Sequence, residues 1–153
     1  MEEAEVSRLI LSLVRSMNRT LDEWIARYNK KVPEGFKRDE RFALFYLPDK
    51  GFCELGLTEH TVLIWQASGD GRHWKNFAEN VARKFGKEVC VTTCERKEVR
   101  AWIKLFGFKV TKTEERDGFK RYHGVGENGA WGVMTEVEID GRRRAYQVTW
   151  EVT

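Results

Sequence analysis

The chain has 153 residues, a net charge of +3 and three cysteines. Hydrophobic residues make up 41% and charged residues 33%, a balance that excludes a disordered chain, and the length suits one domain with its own core. No apolar run approaches the roughly 20 residues of a membrane-spanning helix, and the acidic start of the chain differs from a signal peptide. We therefore expect a single domain over residues 1–153, in the cytoplasm, with no membrane partner.

The three cysteines predict neither a disulfide framework nor a metal site. Cys53, Cys90 and Cys94 are odd in number, which suits reduced thiols. Cys90 and Cys94 lie four positions apart with no histidine beside them, so a standard zinc-ligand spacing is missing. We expect no bound metal.

Residues 4–30 have apolar side chains at three- and four-residue steps, which predicts helix with one broad apolar face. Thr20 and Glu23 have the spacing of a capping box, so the run can also be two helices divided near Asn18. We expect this segment to cover one face of a sheet. A dimerising helix is the alternative, because three apolar residues recur at seven-residue steps: Ile10, Met17 and Trp24.

After a linker at Pro33, the apolar pattern changes to that of strands. Three strands are predicted as an antiparallel meander, over residues 41–47, 52–57 and 61–67. A glycine turn follows, and the predicted order is then a helix over 74–85, a parallel strand over 88–93 and a helix over 96–106.

The last part of the chain predicts two β-hairpins. The first joins residues 108–115 to 119–125 around Asp117-Gly118, and the second joins 133–139 to 144–151 around Asp140-Gly141. The whole chain is therefore α/β (α+β), with a mixed and mostly antiparallel sheet.

The stretch around Gly69 and Gly71 is the most informative in the chain. An apolar strand ends in these glycines and leads directly into a helix, whose first backbone N–H groups have no partner within the helix. Glycine also lets the backbone approach an anion closely, so the turn suits a phosphate group. The alternative is that the two glycines serve only a tight turn between strand and helix.

Two motifs resemble signatures of the GNAT N-acetyltransferase superfamily. Gln66-x-x-Gly69-x-Gly71 has the Q/R-x-x-G-x-G/A pattern, and Leu105-Phe106-Gly107-Phe108 is similar to the sequence that ends the second signature. The resemblance covers roughly residues 4–125. It implies a central parallel pair of strands that splay apart, and helices on both faces of the sheet. The C-terminal hairpin lies beyond the family pattern.

The resemblance also implies acetyl-CoA as a co-substrate. The pantetheine arm would pair with residues 63–66 and the pyrophosphate would lie on the N–H groups of residues 67–72. The implied cofactor-binding residues are Leu63, Ile64, Trp65, Gln66, Ala67, Ser68, Gly69, Asp70, Gly71 and Arg72.

The catalytic positions depart from the family pattern. Ile103 stands where the resemblance implies a tyrosine that protonates the CoA thiolate, and Arg96 stands at a common asparagine position. Three replacement acids or bases are candidates. They are Glu54, Cys94 and Tyr122. Each has a structural alternative: Glu54 as a solvated strand carboxylate or an ion-pair partner, Cys94 as a small buried hydrophobe, and Tyr122 as a cross-strand aromatic.

We expect an acyl-CoA-dependent N-acyltransferase that acts on an unidentified primary amine by direct attack in a ternary complex. The first alternative is a catalytically inactive binding or structural module of the same fold. The second is a nucleic-acid-binding domain, because Arg142, Arg143 and Arg144 lie at a hairpin tip. Aromatic residues would then stack on bases: Trp131, Tyr146 and Trp150. The sequence leaves a monomer or a homodimer open.

Overall fold

The computed structural model describes residues 2–95, 98–139, 141 and 143–153, and their side chains apart from those of residues 11–17 and 143. Within these residues the chain is mixed α+β, with four helices and one eight-stranded sheet. The helices are α1 (Glu3–Met17), α2 (Leu21–Lys31), α3 (Gly71–Lys84) and α4 (Val99–Phe106). The strands are β1 (Ala43–Leu47), β2 (Gly51–Leu57), β3 (Thr61–Gly69), β4 (Val89–Glu95), β5 (Lys109–Arg116), β6 (Phe119–Val125), β7 (Trp131–Ile139) and β8 (Arg143–Glu151).

The N-terminal helical run is two helices, divided by a capping box. The Thr20 hydroxyl accepts a hydrogen bond from the Glu23 N–H at 3.1 Å, and the Glu23 carboxylate accepts one from the Thr20 N–H at 3.2 Å. These bonds satisfy two backbone groups at the start of α2. Trp24 then anchors α2 to the sheet, because its buried indole donates to the Pro48 carbonyl at 3.0 Å.

The strand order in the sheet is β1-β2-β3-β4-β8-β7-β6-β5. β1, β2 and β3 form the predicted meander, β4 is parallel to β3, and the two predicted hairpins are β5–β6 and β7–β8. The sequence does not predict that the last strand, β8, lies between β4 and β7.

Helices lie on both faces of the sheet. Phe52 of β2 contacts the ring of Tyr28 on α2, with ring centroids 5.6 Å apart. The next residue, Cys53, belongs to the hydrophobic core that includes Trp74 and Ala78 of α3. Successive residues of a strand point to opposite faces, so α2 and α3 pack on opposite sides of β2.

Helix α3 begins three residues earlier than the sequence predicts. Asp70 acts as its N-cap, since its carboxylate accepts a hydrogen bond from the His73 N–H at 3.0 Å. Aspartate is a preferred residue at this position. The glycine turn is therefore very short, and β3 passes into α3 through Asp70 alone.

Candidate functional site

The two parallel strands at the centre of the sheet pair over only part of their length. Register pairs join Thr61 to Val89, Val62 to Cys90 and Leu63 to Val91. Beyond Leu63 and Val91, no further register pair joins the described residues of β3 and β4, although β3 continues to Gly69 and β4 to Glu95. Strand pairing therefore ends partway along β3 and β4, and the second half of these two strands, where no register pair joins them, is here called the β3–β4 gap.

Along the β3–β4 gap, the backbone of β3 after Leu63 has no register partner in the described part of β4. Opposite β2, β3 carries a bulge, because Cys53 pairs with Ala67 whereas Leu55 pairs with Ile64. Such a bulge leaves the extra residue outside the regular ladder and bends the strand. On the side of β4, the Thr92 hydroxyl donates to the Ile64 carbonyl at 3.3 Å, at the point where strand pairing has ended.

At the end of the gap, α3 begins with Gly71 and Arg72. A Cβ on Gly71 would meet only the Leu105 Cδ2 at 3.5 Å, an ordinary contact, so the start of α3 is open on that side. Gly71 and Arg72 occupy the first two helical positions, whose N–H groups have no intrahelical acceptor. This geometry and the helix dipole suit an anion.

The protein uses part of this turn for its own hydrogen bonds. The Asp70 N–H, which the resemblance would place on the pyrophosphate, donates to the Lys50 carbonyl at 2.8 Å. The Asp70 carboxylate caps His73 and forms an ion pair with Lys50 at 3.4 Å. The hydrogen bond from the His73 N–H lowers the pKa of Asp70, and Lys50 adds to this effect. An anion at the start of α3 would therefore meet a negative carboxylate beside the helix N-terminus.

Gln66, the first residue of the glycine motif, has a structural role in its side chain. Its amide nitrogen donates to the Lys37 carbonyl at 2.7 Å, and its amide oxygen accepts from the Lys37 N–H at 3.3 Å. The same nitrogen donates to the buried carboxylate of Glu54. Gln66 therefore fastens the segment before β1 onto the sheet.

Glu54, a candidate base, is held in the same network. Its side chain is fully buried and accepts a hydrogen bond from Arg38 Nη1 at 2.5 Å and from the Asp39 N–H at 3.1 Å. A general base needs a carboxylate oxygen that can reach the proton of a substrate. With these donors and Gln66, Glu54 has the geometry of a structural ion pair.

Cys94, a candidate acid or acyl acceptor, is buried in the core and lies opposite Tyr146 of β8. Burial raises the pKa of its thiol to about 12, and the carboxylates of Glu98 and Glu95 contribute further. The thiol is therefore protonated at neutral pH, whereas the thiolate is the nucleophilic form.

Tyr122, the third candidate, lies on β6, and β8 and β7 separate it from β4. With strands about 4.8 Å apart, three strand spacings place it more than roughly 14 Å from Cys94. Tyr146 lies between them, with its ring centroid 6.1 Å from that of Tyr122. The structure therefore does not bring Glu54, Cys94 and Tyr122 together as one catalytic group.

Tyr146 of β8 and Tyr28 of α2 are two tyrosines that the sequence does not mark as candidate acids or bases. Tyr146 is the register partner of Cys94. Burial raises the pKa of Tyr28 of α2 to about 12, and nearby carboxylates contribute further, in the order Glu34, Glu95, Glu54 and Glu98. In the sequence pattern both residues have the positions of ordinary aromatic side chains on an apolar face. No neighbouring residue marks either of them as a candidate acid or base.

Ile103 is partly buried and packs against the hydrophobic core. An apolar side chain there has no proton to donate, as the sequence predicts for this position. Arg96 lies outside the described residues.

A cavity of about 250 Å³ opens between α3, the end of α4 and the strands β7 and β8. Its wall includes Arg72 from the start of α3, and Lys75 and Glu79 one and two turns further along the helix. Lys75 Nζ is 2.8 Å from the Glu79 carboxylate, which also accepts a hydrogen bond from the Trp150 indole at 2.9 Å. The charges of Lys75 and Glu79 offset each other, which leaves Arg72 as the cation of this wall nearest to the start of α3.

Three described residues of the nucleic-acid surface that the sequence suggests are engaged within the protein, whereas Trp131 is exposed. Arg144 Nη1 donates to the Gly118 carbonyl at 2.8 Å, and the guanidinium stacks over the Phe119 ring. Tyr146 and Trp150 are buried in the core and cannot stack on bases. Asp140, Arg142 and the Arg143 side chain lie outside the described part of the chain.

No membrane-spanning helix is found among the described residues, nor is any group of three or more His, Cys, Asp or Glu side chains that could hold a metal ion. No family model, curated protein or solved structure matches the chain.

Proposed function

We propose that the chain binds an acyl-CoA in the β3–β4 gap and transfers the acyl group to a primary amine, as its resemblance to the GNAT acetyltransferases implies. The observation that carries this proposal is the end of strand pairing after Leu63 and Val91, in a strand that leads directly into the N-terminus of α3. Backbone groups along the gap suit an amide-containing arm, and a helix N-terminus suits a diphosphate.

In the proposed reaction, the amine nitrogen attacks the thioester carbonyl carbon while both substrates are bound. The C–S bond breaks, the CoA sulfur leaves as a thiolate that takes a proton, and the nitrogen gives up its proton to solvent. The proposal assigns no side chain to either proton transfer, because Ile103 is apolar and Glu54 is held by Arg38 and Gln66. The acceleration would come from holding amine and thioester together.

Ligand binding is the first test. The melting temperature is measured with acetyl-CoA, CoA and pantetheine, since only a ligand of the folded state raises it. At about 100 times Kd, a ligand adds roughly 2.7 kcal/mol, or about 5–10 °C for a chain of this size. The proposal expects this shift with both CoA compounds and a smaller one with pantetheine, which lacks the diphosphate. No shift with either CoA compound would contradict it.

The position of the diphosphate is tested with Gly71→Glu, which places a carboxylate at the start of α3. Asn80→Glu is the matched control, because Asn80 is exposed near the other end of the same helix. We expect CoA binding to be lost in the first variant and retained in the second. Equal CoA affinity in the two variants would contradict the placement of the diphosphate at the start of α3.

A second candidate function is the binding of an acyl-CoA without transfer. It is favoured by the separation of Glu54, Cys94 and Tyr122, which the structure does not bring together. The release of free CoA thiol from acetyl-CoA, with a lysine-containing peptide, spermidine and other primary amines, distinguishes the two functions. Binding with no amine-dependent release favours the non-transferring module.

A further inference from the structure

Helix α1 has an apolar face that no other described part of the chain covers. All described side chains from Glu2 to Ile10 are exposed. They include three large apolar ones, since Val6 is 40% exposed, Leu9 59% and Ile10 56%. A helix of 15 residues is marginal in water unless its apolar face is packed against something. The side chains of α1 that the structure describes, up to Ile10, therefore have no packing partner within the described part of the chain.

The sequence of α1 has the pattern of a helix that packs along another helix. Apolar residues occur at steps of four, three and four positions: Val6, Ile10, Leu13 and Met17. This spacing is that of the a and d positions of a coiled coil. Leu9 and Val14 are two further apolar residues next to these positions in the heptad, and they would widen the stripe.

The first half of α1 is acidic on balance and its end is basic. Glu2, Glu3 and Glu5 outnumber the one arginine of the first half, Arg8, whereas Arg15 and Arg19 lie at the end of the helix and just beyond it. Two such helices side by side in parallel would place carboxylates next to carboxylates. In an antiparallel pair, the acidic end of each helix lies beside the basic end of the other, which lowers the electrostatic energy.

We propose that α1 pairs antiparallel with α1 of a second copy of this chain. The charge distribution favours this occupant over an anionic membrane surface, because residues 2–19 carry three glutamates and three arginines and so have no net positive charge to attract such a surface. The pairing would cover Val6, Leu9 and Ile10. The proposal does not depend on the acyltransferase function.

The mass of the full chain in solution tests the proposal. Analytical ultracentrifugation over a range of concentrations should give twice the 18.0 kDa of one chain. Ile10→Glu should raise the dimer dissociation constant at least about tenfold, because it removes a buried apolar side chain from both copies. Ile10 is exposed in the single chain, so folding and melting of the monomer should be unaffected.

Phe85→Glu is the matched control, since Phe85 is as exposed as Ile10 but lies at the end of α3. This variant should remain a dimer. A wild-type chain that stays monomeric at every concentration would overturn the proposal, and so would an Ile10→Glu variant with unchanged dimerisation.

The orientation of the pair is tested by changing Glu2, Glu3 and Glu5 together to lysine. In an antiparallel pair these lysines would face the partner's arginines, so the dimer should weaken at low salt and recover at high salt, where charges are screened. In a parallel pair, glutamates that face glutamates would be replaced by lysines that face lysines, so the repulsion would stay similar. Unchanged dimerisation at low salt would therefore overturn the antiparallel arrangement.

Discussion

Gly51 and Gly69 face each other across the β2–β3 pair, and each leaves out a side chain for which the other strand has no room. Their φ angles are +103° and +108°. A Cβ on Gly51 would collide with the carbonyl oxygen of Ser68, and one on Gly69 with that of Lys50. This close approach brings the end of β3 to the point where α3 begins.

Gly69→Ala should strongly destabilise the protein. The positive φ costs an alanine about 1–2 kcal/mol, and the collision with a backbone oxygen adds about 1–3 kcal/mol. The free energy of unfolding, from urea denaturation, should fall by about 2–5 kcal/mol. Gly86→Ala is the control for φ alone, because Gly86 has φ +67° and open space around it; its cost should be about 1 kcal/mol.

Gly71→Ala should have a much smaller effect on stability than Gly69→Ala, although both glycines belong to the same motif. The Cβ would make only an ordinary contact with Leu105, so the free energy of unfolding should change by less than about 1 kcal/mol. If Gly71→Ala were as damaging as Gly69→Ala, the first turn of α3 would be more tightly packed than the structure describes.

Asp70→Asn should strengthen CoA binding if the diphosphate lies at the start of α3. Asparagine can replace aspartate as an N-cap, so the helix should keep its start. The variant removes the negative charge next to the proposed diphosphate, and we expect the affinity to rise roughly 2- to 5-fold at low salt. Isothermal titration calorimetry measures the change.

The control for Asp70→Asn is Asp117→Asn, which makes the same change of charge in the β5–β6 turn. Asp117 has a positive φ that asparagine also tolerates. Its effect on CoA affinity should be negligible. Equal effects from both variants would indicate a general charge effect.

Glu54→Ala should reduce stability even in the absence of any substrate. The change leaves the Arg38 guanidinium and the Gln66 amide without their carboxylate partner in a buried position. Removal of one member of a buried ion pair costs about 3–5 kcal/mol. Arg38 is partly exposed, so we expect a loss of about 2–4 kcal/mol in urea denaturation. Glu59→Ala, at an exposed glutamate, should stay within about 0.5 kcal/mol of wild type.

The stability of the protein should fall as the pH rises from 9 towards 12. Burial raises the pKa of Cys53, Cys90 and Cys94 from 9.0 to about 12, and that of Tyr28 from 10.0 to about 12. Below pH 9 these groups are protonated in both states. Between the two pKa values only the unfolded chain loses their protons, so unfolding becomes more favourable. Urea denaturation near pH 8 and near pH 10 measures the difference.

Burial of the three cysteines also predicts that their thiols react slowly with thiol reagents in the native protein. A thiol reagent near pH 8 should react slowly with the native protein and should modify all three cysteines after unfolding in guanidinium. Rapid reaction of Cys94 in the native protein would show that its thiol reaches solvent.

Features encoded within a few neighbouring residues could be predicted from the sequence. The capping box of Thr20 and Glu23 is present, and the hairpin around Asp117-Gly118 forms with strands close to the predicted bounds. Each depends on a local backbone conformation that a small number of residue types favours.

The features that the sequence did not predict depend on contacts between residues that are far apart in the chain. Glu54 is an ordinary strand carboxylate in the sequence pattern, and its partners Arg38 and Gln66 come from a loop and from another strand. The position of β8 beside β4 likewise depends on which exposed edge the last hairpin joins, and local periodicity does not contain that information. Asp70 is a different case, because its role as an N-cap could have been predicted from its place before a helix.

The outer strand β5 also bears on how the protein behaves when it is concentrated. Among the described strands β5 lies at one edge of the sheet, where one row of its N–H and C=O groups has no neighbouring strand. Five of its eight residues are charged, with both signs present: Lys109, Lys112, Glu114, Glu115 and Arg116. Another chain that tried to add a strand here would have to desolvate these ions, which protects the molecule from growing into fibrils by edge-to-edge addition.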